Sequence, residues 1–265
     1  MNGTVLFTRG TWLTRSDPHA SAFKMKAVRA ILFDYGDTLT TLTVSLEDLR
    51  AKCLRNIQSF LEGQGLIVTM AQLEVADEEA WESFRMQGSL EEVDAAVFVT
   101  RFLRKLGVNV SEGDVMVAEV WEVDYMTAVP FIELLPETLP TLRALKGHQW
   151  KMGLVSNNVF PGMLRASVER LGLGSFFDVI VASGDVGVRK PAAAIFQRAI
   201  SQLGCGAEET LFVGDSLEED IGGAKNLGMT TVWLHSSGDV HGGSIVPDYE
   251  VKGLSAILQI LGLRG

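Results

Sequence analysis

Cysteine is almost missing from this chain: Cys53 and Cys205 are the only two in 265 residues, and no C-x-x-C spacing occurs. A disulfide framework and a cysteine zinc cluster are both excluded, and the pair reads as reduced thiols of a cytoplasmic protein. Histidine is scarce too, and His19, His148, His235 and His241 read as surface or structural residues. No apolar run approaches the roughly 18 residues of a membrane-spanning helix. Positive charge is in the minority: 23 Lys and Arg against 33 Asp and Glu leave a net charge of −10. Such a surface repels nucleic-acid backbones, so no nucleic-acid partner and no membrane are expected. An anionic ligand could be held only where local cations or a metal reverse the field.

Apolar material is plentiful, with 47% hydrophobic residues and a mean hydropathy of +0.20. Disorder as the dominant state is excluded by that composition. The length is generous for one compact domain and short for two, which suits a core domain with an inserted subdomain. Residues 1–24 stand apart. They carry Arg9, Arg15 and Lys24 against a single acid, Asp17, and lack the apolar stretch of a secretory signal. They are expected to be a poorly ordered leader or extension, and Met25 and Lys26 sit just before the first strand.

The run Val28–Phe33 reads as a buried strand that stops at Asp34-Tyr35-Gly36-Asp37. Helical spacing then takes over, with Leu46, Leu49, Cys53, Ile57 and Phe60 recurring at three and four residues. Further helical stretches are predicted over 73–84, 90–106 and 115–126, separated by glycines. Residues 42–128 therefore form an all-helical insert. The core comprises 25–41 together with 129–265, where strand and helix alternate. Predicted strands are 152–155, 179–182, 211–213 and 230–234; predicted helices are 139–145, 163–171, 192–203 and 217–227. The expected class is α/β, a doubly wound parallel sheet with a Rossmann-like core and a helical cap.

Polar residues fall at the strand ends: Asp34 and Asp37, Ser156, the segment leading to Lys190, and Asp215 with Asp220. Ligands of such sheets bind beyond the carboxyl ends of the strands, so these groups converge. Taken singly, each has a plain structural reading: Asp37 as a loop cap, Ser156-Asn157-Asn158 as a turn, Gly214-Asp215 as a strand end, Lys190 as a solvated surface residue. None of these explains the shared sheet edge. Several carboxylates at one spot repel one another unless a divalent cation neutralises them, and oxygen ligands without His or Cys suit magnesium. A lysine and a hydroxyl beside them supply the donors a phosphoryl group requires. The glycine-rich stretch 238–243 lacks the Lys-Ser/Thr of a P-loop.

Together these residues resemble the four motifs of the haloacid dehalogenase-like hydrolases. Asp34-Tyr-Gly-Asp37-Thr-Leu-Thr is similar to the first motif, Ser156 to the second, Lys190-Pro191 to the third and Gly214-Asp215-Ser-Leu-Glu-Glu-Asp220 to the fourth. The insert sits where this family carries its type 1 cap, and Ala192-Ala193 depart from the commoner Asp-Pro after the third motif. The resemblance implies a magnesium-dependent phosphatase acting on a small phosphorylated metabolite. Asp34 would be the nucleophile that forms an aspartyl-phosphate, and Asp37 the general acid and then base. The Asp37 backbone carbonyl with the Asp34 and Asp215 carboxylates would hold Mg2+. Ser156 and the Asn157 backbone would bind phosphoryl oxygens, Lys190 would offset their charge and restrain Asp34, and Asp220 would fix Lys190 or a metal-bound water. An aspartate at 37 favours phosphate esters, because the family's dehalogenases and phosphonate-cleaving members lack it. A 2-haloacid dehalogenase, a phosphomutase and a non-catalytic binding protein on the same fold are the alternatives. The cap would select the substrate, with Trp81, Arg85, Trp121 and Tyr125 as candidates, although their spacing also fits the cap's own core. Phosphoglycolate, sugar phosphates and nucleoside monophosphates are all admissible.

Overall fold

The computed structural model describes residues 28–82, 90–235 and 244–263 in full, and the backbone alone at 5–8, 11–14 and 83–85. Val5–Thr8 (β1) and Thr11–Thr14 (β2) pair antiparallel; the rest of segment 1–24 lies outside the described residues.

Six strands build one parallel sheet: Ala30–Phe33 (β3), Lys151–Ser156 (β6), Val179–Ala182 (β7), Thr210–Gly214 (β8), Thr230–Leu234 (β9) and Tyr249–Val251 (β10). Every residue of β3, β8 and β9 is buried, so their sequences show no alternation of buried and exposed positions, and the threonines Thr210, Thr230 and Thr231 are buried with the apolar residues. The order is β10-β9-β8-β3-β6-β7. The chain starts at β3, winds outward through β6 and β7, then returns to build β8, β9 and β10 on the other side. Phe33 is thus flanked by Leu154 and Val213, and the winding reverses at β3. A crevice opens at such a reversal, beyond the strands' carboxyl ends.

Between β3 and β6 lie Thr40–Leu42 (β4), the helices Leu46–Gly63 (α1), Met70–Arg85 (α2), Ala95–Lys105 (α3) and Val115–Ala128 (α4), then Ile132–Leu134 (β5) and Thr138–Lys146 (α5). Pro161–Arg170 (α6), Ser183–Val186 (α7), Ala193–Leu203 (α8), Gly223–Asn226 (α9) and Ala256–Ile260 (α10) complete the helices. One face of the sheet, through Ile31, Phe33, Leu154 and Val213, packs on α5, α6 and α10. The other, through Leu32, Val155 and Phe212, packs on α8 and α9.

Helices α1–α4 have a core of their own, built on Leu54, Ile57, Leu61, Leu73, Phe98 and Phe102. Inside this cap Arg50 donates through Nε to Asp77 at 2.8 Å and through Nη1 to Asp124 at 2.7 Å. The cap joins the core through a short antiparallel ribbon in which Thr40 faces Leu134 and Leu42 faces Ile132. Its α3 starts later than its apolar spacing predicts. Asp94 accepts the N–H groups of Ala96 and Val97 and so sets the start, leaving Leu90–Glu92 extended. That stretch bridges to the core: Arg189 N donates to Leu90 O and Glu92 N to Gly187 O, both at 2.9 Å. Among the described residues no helix is long and apolar enough to cross a membrane.

Candidate active site

Asp34 is the first residue beyond β3, and its N–H continues the ladder to Val213 O at 2.9 Å. The chain then turns sharply, with Leu39 and Thr40 both donating to Tyr35 O. Asp37 sits in this turn at φ +52°, a left-handed conformation that aspartate tolerates better than most residues. Its N–H is tied to Thr40 O at 2.7 Å, while the side chain is exposed. Beside it Thr38 Oγ1 lies 3.4 Å from Asp215 Oδ1.

Lys190 is the centre of the arrangement. Only 2% exposed, its ammonium donates to Asp34 Oδ1 at 2.5 Å, Asp220 Oδ1 at 2.6 Å and Val155 O at 3.1 Å. Three N–H groups meet three acceptors. Burial alone would push this lysine down, but Asp34 and Asp220 more than reverse that and hold it above its ordinary value. The other Asp220 oxygen accepts the Ser216 N–H at 3.0 Å. Each Asp220 oxygen thus has a protein partner, one Lys190 and the other Ser216, and oxygens of Asp34, Asp215 and Asp220 all lie within 4.8 Å of one another.

Asp34 and Asp215 carry the unbalanced charge. Burial pushes Asp34 up to about 7, with Asp220 and Asp215 adding to the shift against the pull of Lys190. Asp215 is pushed up to about 6, first by burial and then by Asp220 and Asp37. Two carboxylates destabilised in this way, whose candidate ligand atoms are all carboxylate oxygens, fit a hard divalent cation.

Ser156 ends β6 and is buried, and among the described residues its hydroxyl takes no protein partner. The Asn157 side chain turns to the Lys190 main chain: Oδ1 accepts Lys190 N at 2.7 Å and Nδ2 donates to Lys190 O at 3.1 Å. A cavity of about 670 Å³ reaches Asp37 and Asp215, walled by Leu135–Glu137, Leu234, His235 and Lys252–Leu254.

All seven motif residues thus gather at one sheet edge, drawn from β3, β6, β8 and the loop before α8. Sequence reasoning missed several contributors. Val155 acts through its backbone, Thr38 reaches Asp215, Trp233 Nε1 donates to Asp215 O at 2.7 Å, and Glu219 accepts from Asn157 Nδ2 at 2.9 Å. Only Glu219 carried a signal, as an acidic neighbour of Asp220. Of the cap candidates, Trp81 packs on Phe98 inside the cap. Trp121 and Tyr125 meet the core residue Phe160, with ring centres 5.9 and 6.5 Å apart. The Arg85 side chain lies outside the described residues.

Such an edge, with a buried lysine among aspartates and an inserted helical cap, fits the class of hydrolases built on a doubly wound, Rossmann-like α/β core. The chain belongs to the haloacid dehalogenase-like hydrolase family, whose model matches residues 28–228. It is 27% identical to a glyceraldehyde 3-phosphate phosphatase of Methanopyrus kandleri over 88% of this chain and 97% of that one. A pyrimidine 5'-nucleotidase of Escherichia coli is 36% identical over 48% of this chain and 56% of its own length. Among solved structures, a family phosphatase from Thermococcus onnurineus superposes with a TM-score of 0.60 at 27% identity, covering 89% of this chain and 98% of that one. A 2-haloacid dehalogenase from Pseudomonas syringae pv. Tomato DC3000 shares the fold, with a TM-score of 0.69 at 23% identity over 89% and 98% of the two chains.

Proposed function

We propose that the protein is a magnesium-dependent phosphatase that hydrolyses a small phosphorylated metabolite through an aspartyl-phosphate on Asp34. The observation that carries this reading is the state of Asp34. One carboxylate oxygen is pinned by Lys190 at 2.5 Å, and among the described residues the other takes no hydrogen bond. A fixed carboxylate with one oxygen unused is a positioned nucleophile. The names of the relatives, phosphatases and a nucleotidase, support the same reaction class.

In the first half-reaction the free Asp34 oxygen forms a bond to phosphorus while the bond from phosphorus to the leaving oxygen breaks. Asp37, exposed and accepting the Thr41 hydroxyl at 3.4 Å, gives that oxygen its proton. In the second half Asp37 takes a proton from water, the water oxygen bonds to phosphorus, and the bond to Asp34 breaks. The unpartnered Ser156 hydroxyl donates to a phosphoryl oxygen, together with the main chain of Asn157, whose side chain is already in use. Lys190 has no spare N–H; it acts by its charge and by keeping Asp34 aimed. Mg2+, when held by the Asp34 and Asp215 carboxylates and the Asp37 carbonyl, supplies the positive charge that lets an anionic phosphoryl group approach an anionic nucleophile.

The test is phosphate release from p-nitrophenyl phosphate, with magnesium and with chelator, beside Asp34→Asn. Magnesium-dependent release that the variant abolishes supports the reading. Failure of the wild-type protein to release phosphate from this ester and from a metabolite panel would refute it.

A further inference from the structure

The residues Leu217–Gly222 form a π-helical turn, with Ile221 N bonded to Ser216 O at 3.1 Å. Wide turns of this kind are uncommon and gather at functional sites. Here the turn presents two consecutive carboxylates to the same residue by different routes. Asp220 holds the Lys190 ammonium at 2.6 Å. Glu219 Oε2 accepts from Asn157 Nδ2 at 2.9 Å, and that amide in turn grips the Lys190 N–H at 2.7 Å and its carbonyl at 3.1 Å. Asn157 thereby spends both of its donors and its acceptor.

We propose that Glu219 is a positioning residue for Lys190, acting through the Asn157 amide. The role rests on the phosphatase reading, in which Lys190 aims Asp34. Its physical need comes from the neighbouring contact. The residue before Lys190 is bonded to the cap, through Arg189 N and Leu90 O at 2.9 Å. The Glu219–Asn157 clamp, anchored in the core, fixes the Lys190 main chain independently of that attachment to the cap. Glu219 Oε1 also lies 3.6 Å from Arg189 Nη2, an ion pair in which both side chains are 41% exposed. The Arg189 contact is the longer of the two, and only the amide contact leads on to the Lys190 main chain.

Two variants separate these contributions. Glu219→Gln keeps an oxygen that accepts from Asn157 and loses the charge opposite Arg189; Glu219→Ala loses both. Phosphate release should fall about tenfold in kcat for the alanine variant, the scale of one lost hydrogen bond, with KM within about twofold. The glutamine variant should stay within about twofold of wild type. Exchange of the Lys190 amide hydrogen, followed by NMR without any substrate, should be faster in the alanine variant only. An unchanged kcat and unchanged exchange in Glu219→Ala overturn the proposal, as does a glutamine variant as impaired as the alanine one. A wild-type protein inactive on every phosphate ester refutes the phosphatase reading, and the exchange measurement still decides the clamp on its own.

Discussion

Gly214 lies directly beneath Asp220: a Cβ built on residue 214 would stand 2.6 Å from the Asp220 Cβ and would overlap its carboxylate. The absence of a side chain at the end of β8 is what lets the π turn fold back over the strand and deliver Asp220 to Lys190. Gly214→Ala should therefore displace Asp220 from both Lys190 Nζ and Ser216 N. We expect phosphate release to fall at least about a hundredfold, with stability lowered by about 1–3 kcal/mol from overpacking. Steady-state kinetics and urea denaturation read the two effects separately. A variant with wild-type kcat would show that Asp220 is dispensable.

Removing the lysine itself tests the charge balance. Lys190→Met leaves Asp34 and Asp220 buried side by side with no cation, and breaking a buried pair from one side costs about 3–5 kcal/mol. Activity should be lost. The deficit should also depend on pH. A protonated carboxyl needs no partner, so the variant should come closest to wild-type stability near pH 5 and fall furthest behind above pH 8. Thermal melts across that range, with magnesium removed from both proteins, provide the comparison. A deficit that stays constant with pH would argue against carboxylate repulsion as its cause.

The central fold was legible because burial on both faces wrote residues 30–33, 211–213 and 232–234 as apolar runs, with Asp34 and Asp215 close behind the first two. The four motif groups converge as the winding order requires. Shorter elements left no period to detect: Thr40–Leu42, Ile132–Leu134 and Tyr249–Val251 have three residues each. Helix α3 was predicted from Leu90, whose apolar spacing continues that of the helix; Asp94 overrides it by capping, and Leu90–Glu92 is left to pair with the core. Residues 217–227 carry one helical pattern in sequence, yet the chain makes a π turn before α9. The π turn lays Asp220 over Gly214, where a side chain would not fit, and the helical spacing carries no sign of that fold-back. Asn157 illustrates the remaining gap. Its place next to Ser156 suggested a backbone contact to ligand, but its side-chain partner lies 33 residues away in sequence, and no local spacing encodes that.

The cap offers an independent test of how it is held together. Arg50 joins α1 to Asp77 on α2 and Asp124 on α4, with the two carboxylates only 12% and 7% exposed at their side chains. Arg50→Met should strand both acids and destabilise the cap by about 3 kcal/mol, since the arginine itself is 27% exposed and its pairs are partly screened. Tryptophan fluorescence in urea reports this once Trp150 and Trp233 of the core domain are replaced by Phe in both proteins, which leaves Trp81 and Trp121 of the cap as the reporters among the described residues. An Arg50→Met protein with an unchanged midpoint would show that the triad contributes nothing to stability.

Metal, pH and stability are linked through Asp34 and Asp215. Both carboxyls are pushed up in the folded chain, to about 7 and about 6, chiefly by burial. A carboxyl with a raised folded value binds its proton more tightly when folded than when unfolded. Its contribution to stability is complete below the unfolded value near 4 and is lost as pH rises through the folded one. Metal-free protein should therefore be more stable at pH 5.5 than at pH 8, the reverse of the usual behaviour of paired surface carboxylates. Magnesium competes with those protons, so it should bind more weakly below about pH 6 and release protons on binding. It should restore stability above pH 7, where both carboxylates are charged. Calorimetric titration in two buffers of different ionisation enthalpy counts the released protons, and melts with and without magnesium give the stabilisation. Magnesium binding that is independent of pH between 5.5 and 8 would separate the metal from these two aspartates.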